Sequence, residues 1–193
     1  MIGIDVSKWQ KDIDFNKLKE AGVEFIIIRV GSSTGINGEN FIDSKFIQNI
    51  TNANNLNIPV GVYFYSYANS KERAISDAKW VLEQIKDYKV ELGVALDWEN
   101  WNSFNEFNLS FFGLTNMANE FLKVINDAGY KTLLYSSKTY LENMWMDIEY
   151  PIWLAHYVKN TTYKDDYEYW QICSNGQVEG IDADVDIDIR YLN

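Results

Sequence analysis

Apolar positions along the chain follow two periods. Ile2 to Val6 reads as a first strand, and Glu24 to Val30 carries the continuous apolar run Phe25-Ile26-Ile27-Ile28. Such a run fits a strand buried on both faces. Pro59 to Tyr67 is a third strand, rich in valine and aromatics. Gly93 to Trp98 and Lys131 to Ser136 are the fourth and fifth, and Ile152 to Tyr157, Glu168 to Cys173 and Val185 to Ile189 give three more. Between the early strands the period becomes helical. Asp14 to Ala21 is a short helix with Asp14 as its N-cap and Gly22 just past its end. Asp43 to Asn55 is a second helix. Ser70 to Tyr88 places Ala74, Ala78, Val81, Leu82 and Ile85 on one side. Leu109 to Ala128 is a long helix stopped by Gly129, and Lys138 to Met146 is a short one.

A β-α-β-α beginning implies a parallel sheet with right-handed crossovers. Eight strands suggest closure into a barrel. A full barrel of eight strand–helix units takes about 250 residues, and this chain has 193. The expected fold is therefore α/β, an abbreviated TIM-like barrel whose missing helices fall in its last third. The expected unit is a single domain over 1–193, because no proline- or glycine-rich linker interrupts it. In such barrels the active site gathers at the carboxyl ends of the strands.

Composition narrows the function. Apolar residues make up 47% of the chain, enough for a sizeable core. The net charge of -11 repels phosphate backbones and anionic membrane surfaces, so neither nucleic acid nor membrane is an expected partner. Cys173 is the one cysteine, so no intrachain disulfide forms; it follows Tyr169 and Trp170 and reads as a buried strand residue. No apolar run approaches the roughly 18 residues of a membrane span. Met1-Ile2-Gly3-Ile4-Asp5 lacks the basic and apolar regions of a secretory signal.

The strand list turns into chemistry at the fourth strand. Side chains alternate along a strand, so Ala95, Asp97 and Glu99 share one face. Two close carboxylates resist ionising together, which separates an acid from an anion. Glycoside hydrolysis needs that pair. The plainer alternative is two solvated loop carboxylates. Asp5 ends the first strand and Asp186 lies in the last, and a closed barrel makes those strands neighbours. Asp184, Asp186 and Asp188 equally fit a set alternating outward from an edge strand.

Aromatics gather at the same expected rim: Tyr63, Tyr65, Trp98, Trp101, Tyr135, Trp153, Tyr157 and Trp170, with Gln171 beside the last. Flat apolar faces with polar handles suit stacking on sugars, although core packing accounts for some of them. His156, the only histidine, points opposite to Trp153 and Tyr157 by alternation and reads as structural. No His-x-x-His spacing supports a transition metal, and the loop Gly31-Ser32-Ser33-Thr34-Gly35 lacks the lysine of a phosphate loop. No cofactor is expected.

Taken in order, these segments resemble the lysozymes of glycoside hydrolase family 25, the Chalaropsis-type muramidases of bacteria and their phages. The resemblance runs through Gly3-Ile4-Asp5-Val6-Ser7 with Trp9-Gln10, Phe25 to Arg29 with Gly31, Gly61-Val62-Tyr63-Phe64-Tyr65, Leu96-Asp97-Trp98-Glu99, Ile152-Trp153-Leu154-Ala155, Trp170-Gln171, and Gly180-Ile181 with Val185-Asp186. It implies a (β/α)5(β)3 barrel and cleavage of the β-1,4 bond between N-acetylmuramic acid and N-acetylglucosamine in peptidoglycan. By motif, Glu99 would be the general acid. Asp97 would stabilise the transition state or position the substrate's acetamido group as an internal nucleophile. Asp5 and Asp186 would orient and tune that pair. Tyr63, Tyr65, Trp98, Tyr135, Trp153, Tyr157 and Gln171 would line the sugar groove. Asp188 departs from the family pattern and takes no role from it.

Two rival readings are a chitinase-like glycosidase and a non-catalytic wall-binding module. The chitinase motif carries further aspartates upstream, where this chain has Gly93 and Ala95. Retention of Asp5, Asp97, Glu99 and Asp186 argues against a dead enzyme. The expected partner is the glycan strand of peptidoglycan, with no obligate protein partner. The expected place of action is the bacterial wall, reached from the cytoplasm through holin-type release, or as a trimmed secreted domain.

Overall fold

Strands apolar on both faces and helices apolar on one bury their apolar faces when the sheet closes and the helices wrap it. A computed structural model describes residues 1–191 in this arrangement. Leu192 and Asn193, the last two residues of the expected 1–193 unit, lie outside the described residues.

The parallel strands are β1 (Ile2–Val6), β2 (Phe25–Ser33), β4 (Val60–Tyr65), β5 (Gly93–Asp97), β6 (Thr132–Ser137), β7 (Ile152–Ala155) and β8 (Tyr169–Gly176). Between them run α1 (Phe15–Glu20), α2 (Phe46–Asn55), α3 (Lys71–Ile85), α4 (Phe111–Asp127) and α5 (Lys138–Asn143). A final strand, β9 (Val185–Arg190), sits between β8 and β1, and β1 also pairs with β2, so eight strands close a ring. Five strand–helix units followed by three strands give the expected (β/α)5(β)3 plan. Asp14 caps α1 by accepting from the backbone N–H groups of Asn16 and Lys17, as its position predicts.

Four features differ from the sequence reading. A short strand β3 (Asn40–Ile42) pairs antiparallel with the distal half of β2, beyond the stretch that β1 covers. β9 is antiparallel to both neighbours. Residues 177–184, between β8 and β9, contain no crossover helix, and a parallel return needs one. β9 is also not an edge, so its aspartates do not alternate outward into solvent. Cys173 is half-buried rather than buried, next to a break in the β8–β9 register.

Alternation splits the apolar residues into two cores. Phe25, Ile27, Leu92, Ala95, Leu133, Tyr135, Trp153 and Tyr169 fill the barrel lumen. The opposite strand faces, led by Ile26, Ile28, Val62, Phe64, Val94 and Leu96, pack with the helices. The lumen is tight at its base. A Cβ on Gly3 would lie 2.6 Å from ring carbons of Phe25, so only glycine admits that ring.

Gly93 opens β5 at φ +99°, where a Cβ would meet the carbonyl oxygen of Lys131 at 2.6 Å. Gly129 ends α4 at φ +91° with open space around it. Both glycines hold the left-handed backbone, but only one is also packed. Gly129→Ala is expected to cost about 1 kcal/mol, and Gly93→Ala about 2 kcal/mol or more, lowering Tm by about 4 °C or more. Thermal unfolding of the two variants side by side checks the order.

Candidate active site

The parallel strands end at one mouth of the barrel. A cavity of about 270 Å³ opens there, lined by Asp5, Arg29, Tyr63, Tyr65, Asp97, Glu99, Tyr135, Trp153, Tyr157, Gln171 and Asp186. Ten of those eleven residues are the ones the sequence singles out. Asp5 and Asp97 come from the carboxyl ends of β1 and β5. Asp186 reaches the same mouth from the opposite sense, as the second residue of an antiparallel strand, directly across from Asp5.

The turn after β5 fixes Glu99. Trp98 points into the outer core and donates its indole N–H to the carbonyl of Ala68 at 3.1 Å. The buried Asn100 donates its amide to the carbonyl of Ser66 at 2.9 Å. The Ser66 N–H in turn donates to the Asp97 carbonyl at 2.7 Å. With its two neighbours tied to the turn after β4, Glu99 has only the cleft to face. Trp98 is therefore not a groove residue. Its ring is wholly buried among Trp101, Phe104 and Phe107, where the period-two alternation of the strand sends it. Trp101 and Trp170 likewise pack outside the barrel; Trp170 donates to the His156 carbonyl at 2.8 Å. His156 bonds Thr161 Oγ1 through Nδ1 at 2.8 Å, a structural placement.

The remaining aromatics divide by depth. Trp153 and Tyr135 form the floor, with ring centroids 4.7 Å apart and little exposure. Tyr63 meets Trp153 edge-on at 6.1 Å. Tyr157, 52% exposed, stands at the rim. Tyr135 and Tyr157 both donate their hydroxyls to Gln171 Oε1, at 2.8 and 2.7 Å, and Gln171 Nε2 donates to Asp5 Oδ2 at 2.7 Å. Gln171 thus ties Asp5 to the two tyrosines.

Arg29 is the lining residue that sequence reasoning missed. It ends the inward set Phe25, Ile27, Arg29, just before a bulge in the β2–β4 register. Its Nε donates to Asp43 Oδ2 at 2.8 Å, and the buried Asp43 also accepts the backbone N–H groups of Lys8 and Lys45. A lone charge at the inward parity of an apolar strand was the available signal. Asp43 lies in the loop before α2 rather than at the start of that helix, where its sequence position put it, and nothing in the spacing marked it as the partner of Arg29.

Two further cavities lie near the cleft. A cavity of about 290 Å³ shares Glu99, Tyr135 and Tyr157 with it and adds Ser137, Lys138, Thr139 and His156. Another, of about 430 Å³, is walled by Tyr67, whose ring lies 5.4 Å from that of Tyr65 in the central cavity. The continuity of the first of these with the central cavity gives an elongated opening, which suits an extended chain better than a compact ligand.

Four carboxylates and one committed guanidinium set the electrostatics. Burial pushes Asp97 well above the usual carboxylate range; Glu99 adds to this and Arg29 opposes it. One Asp97 oxygen, Oδ1, is buried without a donor. Glu99 is open to solvent from the cleft and flanked by protein elsewhere. Confinement raises its proton affinity, and Asp186 raises it further. Asp186 itself is pushed up to about 6 by burial. Below the cleft, the fully buried Asp188 is pushed up to about 8, and Asp5 beside it is raised by burial and then by the charges of Asp188 and Asp186.

The sequence profile of glycosyl hydrolases family 25 matches residues 4–181, spanning every catalytic candidate except Asp186. The chain belongs to this family. Curated family relatives include the uncharacterized protein YegX of Escherichia coli strain K12, 26% identical over 97% of this chain and 68% of that protein. The autolytic lysozyme of Clostridium acetobutylicum is also 26% identical, over 97% of this chain and 55% of the relative. Among solved structures, the modular autolysin LytC of Streptococcus pneumoniae, in complex with a synthetic peptidoglycan ligand, superposes with a TM-score of 0.87 at 27% identity. That match covers 98% of this chain and 46% of the autolysin, so the family 25 fold seen here spans under half of that longer protein.

The raised carboxyls have a thermodynamic consequence. The folded state binds protons that the unfolded state, with carboxyls near 4, has released. Their stabilising contribution is full below about pH 4 and is lost as pH rises through about 6 for Asp186 and about 8 for Asp188. Tm is therefore expected to fall between about pH 5 and pH 8.5 rather than plateau. Calorimetric scans across that range check the sign.

Proposed function

We propose that this chain is a peptidoglycan muramidase, cleaving the β-1,4 bond between N-acetylmuramic acid and N-acetylglucosamine. One observation carries the reading: Asp97, Glu99, Asp5 and Asp186 converge on one aromatic-walled cleft of a family 25 barrel. A lysozyme among its relatives and a peptidoglycan-bound autolysin among its structural neighbours support the substrate class. The place of action under this reading is the bacterial wall.

The geometry suggests how the roles divide. Burial gives Asp97 a strong hold on a proton in the free protein. Access, however, favours Glu99 as the acid, because Glu99 opens to the cleft while Asp97 is walled in. Glu99 donates its proton to the glycosidic oxygen as the bond from that oxygen to the sugar carbon breaks. Asp97, which Arg29 draws toward its charged form against the effect of burial, gives up its hold on the proton as positive charge develops at that carbon, and offsets that charge or holds the acetamido group that attacks it. Water then completes the hydrolysis. Burial and then the charge of Asp186 raise the proton affinity of Glu99 above that of an ordinary carboxyl, which suits it to the acid's role. Tyr63, Tyr65, Tyr157 and Gln171 contact the sugars, with Tyr135 and Trp153 as the floor beneath them.

Glu99→Gln is expected to lower kcat by about 100-fold or more with Tm unchanged or raised, since it removes the proton donor and a repelled charge. Asp97→Asn should be comparably severe, and Asp5→Asn milder. Because the acid must be protonated, activity should fall as pH rises through the raised Glu99 value, so the alkaline limb lies above the ordinary carboxylate range. Mass spectrometry of muropeptides from a wall digest decides the bond. Muramic acid at the new reducing ends supports the reading, and glucosamine there overturns it.

A further inference from the structure

Asp188 takes no part in the reaction above, yet it lies wholly buried in the barrel lumen. It stands on β9 two residues below Asp186, across from Gly3 on β1 and from Gln171 on β8. Its Oδ1 accepts the indole N–H of Trp153 at 2.8 Å. Its Oδ2 is buried and meets no donor. A buried carboxylate oxygen with no donor is costly unless that oxygen carries a proton and donates it. Asp5 is the acceptor within hydrogen-bonding reach.

We propose that Asp188 is a positioning residue for the active site: it shares one proton with Asp5, and that proton holds Asp5 in the orientation that receives the Gln171 amide. A continuous chain then runs from floor to rim. Trp153 donates to Asp188, and the shared proton bridges Asp188 and Asp5. Gln171 donates to Asp5 and accepts from Tyr135 and Tyr157. Loss of the proton would set two charges side by side in a closed space.

The neighbours that face Asp188 offer no relief. Asp186 on its own strand adds like charge, and Tyr169 on β8 is a neutral phenol. From β7 comes the uncharged Trp153. Arg190, two residues along β9, lies over the Tyr169 ring and bonds Glu168 instead. Among the described residues, no cation bonds to either Asp5 or Asp188. Burial and these charges raise both carboxyls, Asp188 to about 8, which keeps the proton in place through neutral pH.

Two variants test this. The amide of Asp188→Asn accepts from Trp153 and donates to Asp5 with a hydrogen that does not dissociate. Asp188→Leu fills space and does neither. At about pH 6, Asp188→Leu should lose about ten-fold or more in kcat/KM, and Asp188→Asn should recover to within about three-fold of the parent. Across about pH 6 to 9 the parent Tm should fall more steeply than that of Asp188→Asn, because only the parent has this proton to lose. Equal slopes for parent and Asp188→Asn would overturn the shared proton. A folded Asp188→Leu variant as active as the parent, or an Asn variant no better than Leu, would overturn the positioning role. If Asp188→Leu does not fold, the slope comparison still decides. The kinetic arm rests on the muramidase reading, whereas the thermal arm does not. A parent without wall-cleaving activity would therefore count against that reading while leaving the proton testable.

Discussion

The pairing of β1 with both β2 and β9 is the constraint on which the rest of the structure depends. It closes the sheet and so creates a lumen distinct from the outer core. It also joins the two ends of the sequence. Asp5 and Asp186 are 181 positions apart along the chain and directly opposed in the ladder. Without that closure Asp97 and Glu99 would remain two acids at the end of one strand. With it Glu99 gains a like-charged neighbour in Asp186, which raises its proton affinity beyond what burial does.

The cleft places this repulsion where protein and solvent meet. Arg29 would neutralise part of it, but Asp43 holds that guanidinium from the side, leaving it only a partial influence on Asp97. The acids nearest the substrate are thus governed mainly by one another and by burial. Deeper down, the indole of Trp153 and the amide of Gln171 take over as hydrogen-bond donors. Where water is lost along that path, these neutral donors meet the buried carboxyls of Asp188 and Asp5.

Much of this was legible in the sequence because it is local or periodic. The caps at Asp14 and Gly129 mark helix ends by their own chemistry, and the inward parity of Asp97 and Glu99 follows from strand geometry alone. The same parity places Trp98 outside the barrel and Arg29 inside. The first was obscured by the clustering of aromatics near the acidic motif, and the second by the apolar run around it. β3 was not legible, since three residues with half-polar character carry no period. Nor was the reversal of β9, which depends on what residues 177–184 lack. Asp43 and the Trp153–Asp188 bond belong to tertiary structure and leave no mark in spacing.

The closure by β9 also bears on how the protein is made. Until residues 185–190 emerge during synthesis, β1 has one partner, the barrel is an open sheet, and the lumen carboxyls Asp5 and Asp97 face water. The opposition of Asp5 and Asp186 therefore waits for β9, and the ring must form by joining strands far apart in sequence, a slow, long-range step. Without β9 the sheet would keep two raw edges at β8 and β1, and the cleft would lack Asp186. Under the proposed muramidase reading, assembly of the four-carboxylate cleft is thereby tied to the docking of one strand, β9.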